Sequence, residues 1–140
     1  MLENRVEYKR FIWELNNVIN FNYVQKNIVF LCIGTNIITG DLFGPLVGTL
    51  LKKSIKGKEN VRIIGDLKDV LSYNRIEESI EYVKENNKNA LIIVVDSALS
   101  RVSNIGKVFI QNRGLRYAES LKKRNDIIGD ISIKIGRAHV

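Results

Sequence analysis

Apolar residues fall along this chain in runs that change rhythm. In residues 4–19, NRVEYKRFIWELNNVI, the side chains Phe11, Ile12, Leu15, Val18 and Ile19 share one face at helical spacing, which predicts an amphipathic helix. The Asn-rich NFNYVQKN interrupts it. Residues 28–33, IVFLCI, are continuously apolar and short, as strands are when a parallel sheet buries both of their faces. The polar loop GTNIITGD follows, and then LFGPLVGTLLKKSI, a predicted helix that accepts Pro45 in its first turn. Beyond the basic turn KGKEN, VRIIGDL (61–67) predicts a second strand. IEESIEYVKENN predicts a helix with Ile76, Ile80 and Val83 on one face. The strongest strand is ALIIVVDSA (90–98), an apolar run that ends in a carboxylate. NIGKVFIQNRG reads as a strand and turn, RYAESLKKRND is polar and ambiguous, and IGDISIKI closes as an alternating strand.

Strand, helix, strand, helix, strand is the pattern of βαβ units with right-handed crossovers, so the predicted fold is an α/β sandwich with a mostly parallel sheet. Ligands of such sheets bind beyond the carboxyl ends of the strands. That directs attention to Asp41, in the loop after the first strand, and to Asp96, at the end of the third. Two close carboxylates cannot both ionise cheaply, so one keeps a proton. The ionised partner can then activate water while the protonated one donates to a carbonyl oxygen. The same pair can instead serve a divalent metal, although hard cations favour more than two oxygens. Each acid also has a plain structural alternative. Asp41 would cap the following helix, worth about 1 kcal/mol, and Asp96 would cap the turn after its strand.

Composition narrows the choice. The chain has 140 residues, enough for one domain, and an ordinary apolar fraction. No apolar run reaches the ~20 residues that span a bilayer, and the N-terminus lacks a signal-peptide core, so an intracellular protein without membrane partners is expected. The net charge of +7 comes from scattered lysines and arginines, with no arginine-rich tract and no zinc-finger spacing, and nucleic acid is not the expected partner. Cys32 is the single cysteine and sits inside an apolar run, where it reads as a small buried hydrophobe. GTNIITG lacks the lysine and serine of a phosphate loop, and its glycines read as permitting tight backbone geometry. Ser97, Ser100 and Ser103 have no histidine base to make a triad. Arg101 either orients a substrate or is a solvated surface charge.

The two acid-bearing segments carry a resemblance. FLCIGTNIITGDLFGPLVGTLLK resembles the I-G-T-D-R-x-T-G-D-x-L-G-P-L-V-G signature of the YyaC family of sporulation proteins of spore-forming Firmicutes. VVDSALSRVSNIGKVFI is similar to that family's I-D-A-x-L-G-R block, and IIGDISI to its V-G-D-I block. The likeness runs from about Ile28 to Ile133. The family is similar in turn to the spore germination protease, an aspartate-dependent enzyme, and to the hydrogenase-maturation-protease fold.

The resemblance implies a three-layer α/β/α sandwich, a peptidase or related hydrolase with Asp41 and Asp96 as its catalytic acids, and a protein or peptide substrate. In the hydrogenase-maturation-protease fold the matching acids help bind nickel of the substrate together with a histidine; no histidine stands at the matching place here, so neither a metal nor a cofactor is expected, and the resemblance places the protein in the forespore or spore cytoplasm. Gly34, Thr35, Asn36, Thr39, Gly40, Gly44 and Arg101 would shape the substrate site, with loop N–H groups offered to a substrate carbonyl. A non-catalytic binding or regulatory role on the same fold is the alternative, and self-association is left open.

Departures from the family pattern matter. The family's aspartate and arginine after I-G-T are Asn36 and Ile37 here, and its proline-valine-histidine after the second strand is Val70, Leu71 and Ser72. Arg124 and Asn125 stand where it has Leu-Pro. The final IGRAHV is the translation of a common short-read sequencing adapter. The expectation is therefore a single domain over residues 1–134, C-terminally truncated, with residues 135–140 not native and His139 unusable as a catalytic base or ligand.

Overall fold

Two successive βαβ units set the architecture. The computed structural model describes residues 10, 13, 17, 27–35, 37, 41–55, 59–86, 89–99, 106–116 and 127–137. Strand β1 (Ile28–Cys32) leads through helix α1 (Phe43–Ser54) to β2 (Val61–Ile64), and a short 3₁₀ turn (Tyr73–Arg75) and helix α2 (Ile76–Asn86) lead on to β3 (Leu91–Leu99). Then come β4 (Val108–Gln111), the two-residue strands β5 (Leu115–Arg116) and β6 (Ile127–Ile128), and β7 (Ile131–Arg137). The main sheet has the order β2-β1-β3-β7-β4. β1 pairs in parallel with both β2 and β3, β3 pairs in parallel with β7, and β4 closes one edge antiparallel to β7. β5 and β6 form a separate antiparallel pair.

The apolar patterning explains which helix covers which face. Val29, Leu31, Ile33 and Val94 pack with Ile76, Ile80 and Val83 of α2. Phe30, Cys32, Ile93 and Val95 pack with Phe43, Val47 and Leu51 of α1. Successive strand residues point to opposite faces, so one continuous apolar strand feeds both cores. The two helices lie on opposite faces of a mostly parallel sheet, the α/β arrangement that the element order predicts.

α1 packs unusually close. A Cβ at Gly44 would lie 2.0 Å from the Ile33 carbonyl oxygen, and one at Gly48 would lie 1.9 Å from that of Gly65. Lys52 of α1 pairs with Asp66 beyond β2, and Asp66 Oδ1 accepts the N–H groups of Lys68 and Asp69 at 2.8 and 2.7 Å. The helix is thus tied to the same turn by backbone proximity and by charge.

Several boundaries differ from the expected ones. β2 stops at Ile64 because Gly65 turns away with a positive φ of 100°. β3 continues to Leu99, so Asp96 lies within the strand and not at its end. β7 runs through Ile135, Gly136 and Arg137. Of the expected N-terminal helix, Arg10, Trp13 and Asn17 are helical, and the other residues of that segment lie outside the described ones. Among the described residues no helix is long and apolar enough to cross a membrane.

Candidate functional site

The strand order creates the crevice. From β1 the chain crosses to β2 on one side and then returns past β1 to β3 on the other. The carboxyl ends of β1 and β3 therefore lie where the direction of winding reverses, the position at which open α/β sheets bind ligands. Asp41 follows β1 and Asp96 belongs to β3, so the two acids expected to meet come to the same end of neighbouring strands.

Ser97 joins them. Its backbone N–H donates to Asp96 Oδ1 at 2.8 Å, and its hydroxyl donates to Asp41 Oδ1 at 3.3 Å. The hydroxyl of Tyr73 donates to Asp96 Oδ2 at 2.5 Å. Asp96 is 4% exposed and Ser97 5%, whereas Asp41 is half-buried. A buried carboxylate needs such donors, since leaving it without partners would cost several kcal/mol, on the order of 3–5. Each oxygen of Asp96 thus has a donor, one from a side chain and one from the backbone.

The faces are distinct. Asp96 shares its face of β3 with Val94 and Ile92, toward α2 and Tyr73, and Ser97 points to the opposite face. Lys134 on β7 is the direct register partner of Asp96 and lies half-buried on the Asp96 face. Burial pushes its ammonium below the ordinary value of 10.5, the Arg113 guanidinium adds to that, and Asp96 pulls the other way.

Asp41 does not cap α1 with its side chain. The N-cap residue is Leu42, with no side-chain hydrogen bond to the helix. The Asp41 carbonyl instead accepts the N–H of Thr35 at 3.1 Å, which closes the neck of the loop. A Cβ at Gly34 would lie 2.1 Å from that same carbonyl oxygen, so glycine permits the approach. Gly34 N–H donates to Leu71 O at 3.0 Å. In this conformation the N–H groups of Gly34 and Thr35, expected to meet a substrate carbonyl, are engaged within the protein. Gly44 brings α1 against Ile33. Asn36, Thr39, Gly40, Arg101, Ser100 and Ser103 lie outside the described residues.

Cys32 is fully buried, and burial pushes its thiol up to about 12. It is the inert core residue that its apolar setting predicts. The Gly-Asp-Ile block also acquires a structural meaning. Asp130 N–H donates to Ile92 O at 2.7 Å, and Asp130 Oδ2 accepts Ile92 N–H at 2.9 Å. This aspartate fastens the start of β7 to β3, well away from the carboxyl end of the sheet. Among the described residues no three His, Cys, Asp or Glu side chains gather where a metal ion could sit.

Comparison with known proteins bears on this geometry. The family described as "Protein of unknown function (DUF1256)" matches residues 2–136. The chain belongs to the DUF1256 family. It is also 34% identical over 108 residues to a Bacillus subtilis (strain 168) protein, "Uncharacterized protein YyaC", a match that covers 77% of this chain and 52% of the relative. The chain spans about half the length of the curated relative it matches. The YyaC resemblance read from the motifs is thus established as family membership.

Tyr73, Ser97 as a bridge, and Lys134 are the site residues that sequence reasoning missed. Tyr73 immediately follows Ser72, which stands where the family pattern has its histidine, and that neighbourhood was a usable signal. Lys134 was legible as the charge that interrupts the apolar alternation ISIKI.

Proposed function

We propose that this DUF1256 chain is a sporulation hydrolase of the peptidase type, in which Asp41 and Asp96 activate water against a peptide carbonyl. The observation that carries the reading is the Ser97 bridge, with its N–H on Asp96 and its hydroxyl on Asp41 at the switch point of the sheet. One carboxylate of such a pair acts as general base while the other, protonated, donates to the carbonyl oxygen. The motif likeness to the spore germination protease and to the hydrogenase-maturation-protease fold supports the same reaction class, and a role in the forespore or spore cytoplasm goes with it.

The test is cleavage of soluble spore proteins by the full-length protein, read as new peptide termini by mass spectrometry. Asp41→Asn and Asp96→Asn should each lower the rate by at least about 100-fold, the usual contribution of a general acid or base, with the fold retained. Full cleavage by either variant would sink the pair.

A second reading has its own observation. Asp96 is satisfied by Tyr73 and Ser97, and the Gly34 and Thr35 N–H groups are engaged internally. A site already bonded within itself also suits a binding or regulatory protein on a protease-like fold. That reading predicts no new termini with the wild-type protein, together with a stable partner from sporulating cells whose capture survives both substitutions.

A further inference from the structure

Lys134 is an uncommon residue for its position. It interrupts the apolar stretch of β7 between Ile133 and Ile135, is half-buried, and stands directly opposite Asp96 in the β3–β7 ladder. Register partners on adjacent parallel strands are about 4.8 Å apart and show their side chains on the same face. On its other side Lys134 is paired in register with Phe109 of β4, which offers no charge. Among the described residues the charges that act on it are Arg113, between β4 and β5, and Asp96. No carboxylate among them comes within 4.0 Å to form a direct ion pair with it. A lysine kept partly out of water costs free energy, and a charge partner across the ladder offsets that cost in part.

We propose that Lys134 is a positioning residue for the aspartate pair, its ammonium acting across the β3–β7 ladder to keep Asp96 the ionised, water-activating member. Tyr73 and Ser97 fix the orientation of the Asp96 carboxylate, and Lys134 fixes its charge. The use of that charge rests on the hydrolase reading above, but the charge itself can be observed without turnover. A single cation beside a partly desolvated carboxylate shifts the carboxylate downward by about one pH unit or more.

The experiment is a ¹³C NMR titration of the Asp96 side-chain carboxyl in the full-length protein, in wild type and in Lys134→Met and Lys134→Arg. The midpoint should rise by about one pH unit in Lys134→Met and stay near wild type in Lys134→Arg. A residue that only fills space would not distinguish these variants by charge. An unmoved midpoint in Lys134→Met, or an equal rise in Lys134→Arg, overturns the proposal. Should Lys134→Met fail to fold, Lys134→Gln replaces it as the probe. Its neutral amide also removes the charge, so the midpoint should again rise by about one pH unit, and an unmoved midpoint overturns the proposal. Hydrolysis plays no part in this readout, so an inactive protein bears on the proposed function alone.

Discussion

A single side chain can show how strongly the core excludes water. Cys32 lies between β-strand neighbours and α1, and burial outweighs the opposing pull of Lys52 to raise its thiol from 9.0 to about 12. The folded protein therefore keeps this proton where the unfolded chain releases it. The contribution to stability is complete below the unfolded value of 9.0 and is lost as pH climbs toward about 12. Chemical denaturation across that window should show wild type losing stability relative to Cys32→Val, which has no thiol to ionise. Native protein should also resist iodoacetamide at neutral pH and react only on unfolding; fast labelling of the native state would contradict the burial. Asp66 works in the opposite sense. Its hydrogen bond to Lys52, helped by the Asp69 and Lys68 N–H groups, holds its carboxyl below the ordinary 3.8. That contribution is present above the unfolded value and fades as acid protonates the folded group.

At the scale of elements, the decisive contact is helix α1 against the sheet. Alanine is a better helix former than glycine by about 1 kcal/mol, so Gly48→Ala would stabilise an isolated helix. In the protein the new methyl would meet the Gly65 carbonyl at 1.9 Å, and overpacking of this kind costs about 1–3 kcal/mol. Against a backbone oxygen this close the steric term wins, and urea unfolding of Gly48→Ala should show a net loss of up to about 2 kcal/mol; a gain would show that the helix can shift outward freely. Elements of this kind are well marked in the sequence. β1 and β3 read as continuous apolar runs because a parallel sheet buries both of their faces, and α1 and α2 carry their core faces in local periodicity. The β5–β6 pair is unmarked because Leu115 and Arg116 meet Ile127 and Ile128 from across a sequence gap, and two-residue strands leave no period to detect. The proximity of Asp41 and Asp96 was legible because the topology brings the carboxyl ends of β1 and β3 side by side. Tyr73 bonds to Asp96 from 23 positions away, out of the 3₁₀ turn before α2, and Lys134 is set beside Asp96 by the β3–β7 register, placements that sequence separation hides.

Across the whole molecule the strand order grades the sheet from centre to edge. β1, β3 and β7 have neighbours on both sides, whereas β2 and β4 each have one. Amide hydrogen exchange should follow this order, with Val29, Leu31, Val94 and Val95 slowest and β2 and β4 opening earlier. Equal protection across all five strands would mean that the sheet opens only as a unit. The candidate site draws on this gradation, since Asp96 lies on one inner strand and Asp41 follows another. The hydrogen bond from Thr35 N–H to the Asp41 carbonyl latches the loop at its two ends. A latched loop can lengthen, shorten or change its lettering between the latches without moving the aspartate at its exit. Across relatives, the placing of the acid and the lettering of the loop are thereby free to evolve at different speeds.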